Sequence, residues 1–106
     1  MIARIWRGST ASDRAHDYLG YLEQTGLAEY RATPGNHGVQ VLLRDEEGGR
    51  TRFTLISYWE SMDAIKAFAG DRPEVARFYP EDDDYLVERD LEAEHHRVAV
   101  PHPRFP

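Results

Sequence analysis

The first residues of the chain alternate between two faces, as the residues of a β-strand do. One face carries Ile2, Arg4 and Trp6, and the other carries Ala3, Ile5 and Arg7. This period of two, with β-branched and aromatic side chains, predicts a strand that ends at Gly8. Two further strands are predicted at 39–44 and 51–59, joined by the polar hairpin loop 45–49. In the last of these, one face is expected to carry Phe53, Leu55, Ser57 and Trp59.

Between these strands, apolar residues recur at helical spacing. Ala15, Tyr18, Leu19 and Leu22 form one apolar stripe, which predicts a helix over about residues 11–25. Gly26 is expected to cap its C-terminus. Residues 27–37 are interpreted as a connection, because Thr33-Pro34-Gly35-Asn36 is a strong turn signal.

The second half of the chain continues with helix signals. Ser61 is expected to cap a helix over about 62–69 that Gly70 ends. A short third helix is predicted through 74–78, between Pro73 and Pro80. The acidic run 81–84 is interpreted as a solvated turn rather than a metal site. A last strand is expected within 85–100.

The resulting order, β-α-β-β-α-β with an additional short helix, predicts an α+β, ferredoxin-like fold. Its four-stranded antiparallel sheet would carry helices on one face. A second copy of the sheet would naturally cover the other face, so we expect a homodimer. The domain is predicted to span residues 1–100. Three prolines lie in the remainder, 101–106, which is expected to form an extended tail.

Composition narrows the classes of function. The chain has 106 residues, of which 41% are hydrophobic, so its single small core would gain from burial against a partner. A net charge of −6 argues against binding to nucleic acid or to an anionic membrane. The lack of cysteine excludes disulfides and thiolate sites. No apolar run suits a signal peptide or a membrane span, so a cytoplasmic protein is expected.

Three stretches of the chain resemble the antibiotic biosynthesis monooxygenase family. They are residues 1–6, the turn at 33–36 leading into 39–43, and above all 53–61 followed by Ala64 and Phe68. In the last stretch, a strand ending in Trp59-Glu60-Ser61 runs directly into an amphipathic helix. The resemblance covers about residues 1–98. It implies a dimeric α/β barrel with a ligand pocket in each subunit, between the sheet and the helices.

The resemblance implies several activities, because the family includes cofactor-independent oxygenases of aromatic polyketides, quinol oxygenases and haem-degrading enzymes. The haem-degrading pattern has an Asn late in the first strand, a Trp on the second helix and an iron-ligating His after it. The corresponding residues here are Trp6, Phe68 and Arg77. Because a guanidinium cannot replace an imidazole as an iron ligand, haem degradation is the less expected activity.

A cofactor-free oxygenase needs a dry aromatic pocket, a group that accepts a proton, and a donor or cation that holds the developing oxyanion. The catalytic candidates are Arg77, His16 and Tyr79. The candidates for substrate binding are Trp6, Arg4, Tyr18, Phe53, Trp59, Phe68 and Phe78. The expected partners are a small aromatic molecule, molecular oxygen and a second copy of the chain. No cofactor and no metal are expected.

Several candidates also have a purely structural interpretation. Trp59 and Phe68 fit core packing by their spacing, and His16 fits a solvated position beside the apolar stripe. Trp6 and Tyr79 are open between the two interpretations. His95 and His96 are consecutive, so on a strand they point to opposite faces and would not chelate one metal. A non-catalytic dimer that binds an aromatic metabolite or assists an enzyme therefore remains the alternative to a monooxygenase.

Overall fold

A computed structural model of the protein describes residues 1–101. In it, the first strand is central and pairs with three other strands. The elements in chain order are β1 (Ile2–Ala11), α1 (Ala15–Gln24), α2 (Gly26–Ala32), β2 (Asn36–Glu46), β3 (Arg50–Trp59), α3 (Met62–Ala69), α4 (Asp82–Tyr85), β4 (Leu86–Arg89) and β5 (Glu94–Arg97). A 3₁₀ turn, Ser12–Arg14, links β1 to α1. The predicted α+β, ferredoxin-like class is confirmed.

The strands form one antiparallel sheet in the order β2-β3-β1-β4, and β5 also pairs with β1. β4 pairs with the end of β1 near Gly8, whereas β5 pairs with its start, from Ile2 to Ile5. The prediction of four strands therefore needs one correction. The expected last strand is interrupted after Arg89, and its two parts lie along successive stretches of β1.

The alternation predicted for β1 and β3 is confirmed. Opposite residues of the two strands, such as Arg4 and Ser57 or Trp6 and Leu55, share the face that packs under the helices. Phe53 and Trp59 on this face have no exposed surface, and both belong with Ile65 of α3 to one hydrophobic core cluster. The main hydrophobic cluster therefore lies on one side of the sheet.

The first predicted helix is wrong in its extent. The chain leaves helical geometry at Thr25, whose φ and ψ are −118° and −93° and whose hydroxyl donates to the Tyr21 carbonyl at 2.8 Å. Gly26 does not cap a helix but begins α2, and the predicted connection from residue 27 is helical as far as Ala32. A threonine hydroxyl bonded back to the preceding turn commonly disturbs a helix in this way.

The predicted third helix over 74–78 is also wrong. This segment is extended and pairs with residues 91–93, through Ala76 N–H to the Leu91 carbonyl at 3.0 Å and Ala93 N–H to the Glu74 carbonyl at 2.8 Å. These backbone groups are therefore already used by another segment. The acidic run forms the short helix α4 instead, and within it Asp82 is 3% exposed, so the solvated turn is wrong for that residue.

Two strand boundaries also differ from the prediction: β1 continues past Gly8 to Ala11, and β2 begins at Asn36 instead of residue 39. The boundaries of α3 agree with the sequence. The Ser61 hydroxyl accepts a hydrogen bond from Ala64 N–H at 3.2 Å, and α3 ends at Gly70 as predicted. Within residues 1–101, the longest helix has ten residues, and none is long and apolar enough to cross a membrane. The expected C-terminal tail lies outside the described residues except for Pro101.

Candidate functional site

A cavity opens between the sheet, the helices α1, α2 and α3, and the extended segment that leads into α4. Its lining residues are Arg4, Trp6, Tyr18, Leu22, Gly26, Tyr30, Leu55, Phe68, Arg77, Phe78, Tyr79 and Asp82. Together with its open mouth it spans about 400 Å³, within the usual range of small-molecule pockets. The space in it that the centre of a water-sized molecule can reach is only about 20 Å³, enough for one water molecule. The cavity is aromatic, with a few polar groups among the rings.

Arg4 provides a buried positive charge at the floor of this cavity. The residue is 2% exposed, and its Nη2 donates to the carbonyls of Pro73 and Val75, each at 3.3 Å. Its guanidinium lies over the Phe68 ring, 5.7 Å from the centroid. Within residues 1–101 it pairs with no carboxylate, and its buried Nε has no hydrogen-bond partner. Burial lowers the pKa of Arg4, but a guanidinium remains protonated in proteins.

Tyr30 lies next to this charge. It comes from α2, is 6% exposed, and packs against Phe68 with the ring centroids 4.4 Å apart. Burial raises the pKa of Tyr30, and the neighbouring charge of Arg4 opposes that rise. The phenol therefore stays protonated and can donate a hydrogen bond into the cavity.

Asp82 supplies a buried carboxylate at another part of the lining. Its Oδ2 accepts a hydrogen bond from Tyr79 N–H at 2.6 Å, and its Oδ1 accepts from the Tyr18 hydroxyl at 3.5 Å. Burial raises the pKa of Asp82, while the Tyr79 N–H and the charge of Arg89 oppose the rise. Burial and then the charge of Asp82 raise the pKa of Tyr18. The pair is a proton acceptor beside a protonated phenol.

The mouth of the cavity is bridged by Glu29 of α2. Its carboxylate lies 2.9 Å from Nη1 of Arg77 and accepts a hydrogen bond from the Tyr79 hydroxyl at 2.7 Å. Arg77 Nη1 also donates to the Phe68 carbonyl at 2.7 Å. Burial, and next the hydrogen bond to Glu29, raise the pKa of Tyr79. These contacts join α2, α3 and the extended segment across the opening.

Trp6 occupies a wall of the cavity because Gly8 leaves room for its indole. A Cβ on Gly8 would lie 2.5 Å from Cη2 of Trp6, closer than side chains tolerate. The indole N–H donates to the Asp90 carbonyl at 2.8 Å, and the ring meets Phe78 edge to face at 6.2 Å. The ring is thus fixed at both its polar and its apolar end.

The structure brings seven of the ten candidate residues to the cavity: Arg4, Trp6, Tyr18, Phe68, Arg77, Phe78 and Tyr79. Phe53 and Trp59 do not line it but are buried in the core beside it, where the Trp59 N–H donates to Ser57 Oγ at 2.8 Å. His16 is exposed on the outer side of α1, in a shallow depression with Tyr21 and Tyr85. The expectation that His16 reaches the pocket is therefore corrected.

Sequence reasoning missed Tyr30 and Asp82 at the cavity. Leu27 and Tyr30 are three residues apart and both buried, so their helical spacing was a usable signal for α2. For Asp82 no such signal exists, because Asp83 and Asp84 beside it have the same chemistry and are exposed. Only the course of the backbone after Pro80 decides which carboxylate turns inward.

Comparison with known proteins agrees with this architecture. The model of the antibiotic biosynthesis monooxygenase family matches residues 1–81, more than three quarters of the chain. The chain belongs to this family. No curated protein matches the chain significantly, so the comparison gives no close relative of established activity.

Solved structures show the same fold at low sequence identity. A candidate antibiotic biosynthesis monooxygenase from Nitrosomonas europaea is 15% identical, with a TM-score of 0.63 over 94% of this chain and 100% of that one. A similarly described protein from Bacillus cereus is also 15% identical, with a TM-score of 0.59 over 95% of each chain. The haem degrader MhuD from Mycobacterium tuberculosis, with two haems in its active site, is 19% identical, with a TM-score of 0.59 over 96% and 99%.

The lining of this family member's cavity does not fit haem. No histidine or cysteine is among the lining residues, so neither of these iron ligands faces the cavity. The three lining tyrosines, Tyr18, Tyr30 and Tyr79, all have raised pKa values, which disfavours the phenolate that would ligate iron.

Proposed function

We propose that this protein is a cofactor-independent monooxygenase that oxidises a small aromatic substrate in the cavity between the sheet and the helices. The observation that carries the proposal is the combination of aromatic walls with one buried cation, Arg4, and one buried carboxylate, Asp82. Such a site binds a flat ring, removes a proton from it and holds the resulting negative charge. Family membership supports a monooxygenase but leaves the substrate open.

The proposed reaction needs only the substrate and molecular oxygen. A base removes a proton from an activated CH₂ group of a hydroxyanthrone-type ring, and the carbanion passes an electron to oxygen. The two radicals combine to a hydroperoxide at that carbon. Loss of the second hydrogen and cleavage of the O–O bond then give a ring carbonyl and one water molecule. One oxygen atom thus enters the substrate and the other leaves as water.

Asp82 is the proposed base, because Arg4 and Arg77 remain protonated and the tyrosine pKa values are raised. Because its pKa is raised, Asp82 is a stronger base than an ordinary carboxylate. The difference between its pKa and that of the substrate CH₂ group is therefore smaller. Tyr18 donates to the same carboxylate and can relay the proton. The proposed roles of Arg77 and Tyr79 are confined to the mouth, and His16 has none because it lies outside the cavity.

We also propose that the protein is a cytoplasmic homodimer. The sheet face opposite the helices carries partly exposed apolar side chains, including Ile5, Ile56 and Leu42, the last of which is 49% exposed. A second copy of the sheet would cover this face. Light scattering coupled to size-exclusion chromatography tests it: a mass near that of one chain at micromolar concentration would exclude the dimer.

The activity is tested by incubating the purified protein in air with a panel of hydroxyanthrones and hydroquinones. We expect oxygen consumption above the protein-free rate for at least one member of the panel. For an anthrone, the mass of the product should reflect the gain of one oxygen atom and the loss of two hydrogen atoms. Protein denatured by heat is the control. Consumption equal to the protein-free rate across the whole panel would exclude this substrate class.

A second function, binding of an aromatic metabolite without turnover, is favoured by one observation. The space in the cavity that the centre of a water-sized molecule can reach is only about 20 Å³. A ligand must therefore widen the mouth at Glu29 to enter fully. Saturable binding of panel members with no oxygen consumption would favour this alternative over the enzyme.

A further inference from the structure

Arg4 occupies a position where the fold otherwise places apolar residues. It lies on the helix-facing side of the central strand between Ile2 and Trp6, and its neighbours across the sheet are Ser57 and His95. Burying a guanidinium there is unfavourable, unless a partner of opposite charge compensates for the lost hydration. An apolar residue at this position would serve stability better, so the charge is expected to have another use.

The contacts of Arg4 satisfy its hydrogen-bonding groups only in part. Two carbonyl groups accept from Nη2, the Tyr30 hydroxyl shares a side-chain hydrogen bond with the guanidinium, and the Phe68 ring lies against it, but Nε has no partner. These contacts position the side chain without neutralising its charge. The unpaired Nε–H belongs to a residue that is 98% buried and lines the cavity.

The carboxylates near the cavity are engaged elsewhere. Asp82 accepts hydrogen bonds from Tyr18 and from the backbone of Tyr79. Glu29 pairs with Arg77 and with the Tyr79 hydroxyl. His95, on the same face as Arg4, is no counter-ion either, because burial and then the charge of Arg4 lower the pKa of this imidazole. Among residues 1–101, Arg4 has no ion-pair partner.

We infer that Arg4 is the anion-recognition residue of the cavity, and that the ligand is an aromatic molecule with an anionic oxygen that accepts a hydrogen bond from the Arg4 guanidinium. The ring would pack among Trp6, Phe68 and Phe78, and the protonated hydroxyl of Tyr30 beside Arg4 would be a second donor. This inference rests on the proposed function, since it names the substrate class of the same cavity. It also explains why the site tolerates a buried charge: the ligand supplies the missing partner.

The inference is tested with matched pairs of probes that differ in charge but hardly in shape. Naphthoate is compared with naphthamide, and dinitronaphthol, which is ionised at neutral pH, with dinitronaphthalene. The anion of the first pair is a carboxylate and that of the second is a phenolate. Comparing the two pairs therefore shows which kind of anionic oxygen the cavity binds. Binding to the full chain is measured by fluorescence titration or calorimetry. We expect the anion of at least one pair to bind roughly tenfold more tightly than its neutral partner, or more.

Variants then assign the preference to one residue. Arg4→Met should reduce the preference for the anion to about threefold or less. Arg4→Lys should retain part of this preference, because lysine keeps the charge but lacks the planar guanidinium donors. Arg77→Met, which removes the other cation of the lining, should retain most of it. Equal affinities within both pairs, or a preference that survives Arg4→Met and disappears in Arg77→Met, would overturn the inference.

A second measurement does not depend on the folding of Arg4→Met. In nitrogen–proton NMR spectra of the unaltered protein, the Arg4 Nε–H signal should shift on addition of the anionic probe and not of its neutral partner. An unmoved signal at saturation would overturn the inference. The binding result can be distinguished from the test of the proposed function. Anion-selective binding without oxygen consumption would support the recognition role of Arg4 and count against the monooxygenase.

Discussion

The core of this protein has two neighbouring regions built from the same strands and the same kinds of residue. In the closed core, formed by Leu27, Phe53, Trp59 and Ile65, every side chain is at most 1% exposed. The cavity next to it also has aromatic walls, but Arg4 and Asp82 interrupt them. The two regions differ mainly in how their polar atoms are satisfied.

The closed core satisfies its polar atoms internally. The single N–H of the Trp59 indole donates to Ser57 Oγ at 2.8 Å, so burial leaves nothing unpaired. In the cavity, Arg4 has an unpaired Nε and burial raises the pKa of the Asp82 carboxylate. Because selection for stability alone would remove such groups, their presence marks the cavity as the functional region.

The largest expected effect comes from opening the closed core. Trp59→Ala should lower the free energy of unfolding by about 3–5 kcal/mol, since it removes a completely buried indole that packs against Tyr30 and Phe68. Urea unfolding followed by circular dichroism measures this loss. Phe78→Ala, at the half-buried cavity wall, is the matched control and should cost clearly less. Equal losses would mean that the two regions do not differ in packing.

Removing the proposed base should affect turnover rather than folding. Asp82→Asn is expected to lower kcat by about 100-fold or more with the substrate found in the oxygen-consumption panel, because an amide cannot accept the proton. The control is Asp84→Asn, two residues away in the same short helix and exposed. A loss in both variants, or in neither, would remove Asp82 from the proposed mechanism.

The same carboxylate should influence how stability depends on pH. Because the pKa of Asp82 is raised in the folded protein, the folded state holds its proton to a higher pH than the unfolded state does. Its contribution to stability is therefore greatest at acidic pH and falls as pH rises from the unfolded pKa through the folded one. The free energy of unfolding of the original protein minus that of Asp82→Asn should therefore be smaller at neutral than at acidic pH, which urea unfolding at the two pH values measures. The opposite slope would mean that hydrogen bonding outweighs burial at this site.

The closed core could be predicted largely from sequence, because alternation and helical spacing report burial directly. The strand faces of β1 and β3, the Ser61 cap and the α3 boundaries follow from such local signals. The cavity depends on contacts between distant segments. Residues 74–78 have a helical pattern, yet they are extended because residues 91–93 and Arg4 bind their backbone groups. The inward turn of Asp82 follows from that path.

The smallest expected effect concerns the mouth of the cavity. Glu29→Gln removes the charge that holds Arg77, but both side chains of this ion pair are about two fifths exposed. The free energy of unfolding should therefore change by less than about 1 kcal/mol. The association rate of naphthoate, measured by stopped-flow fluorescence, should nevertheless rise, because a ligand no longer has to break the bridge between α2 and the extended segment. Glu23→Gln removes a comparably exposed ion pair, to Arg31 at 3.0 Å, and should leave the rate unchanged. Equal rates in all three proteins would show that the Glu29 bridge does not control entry.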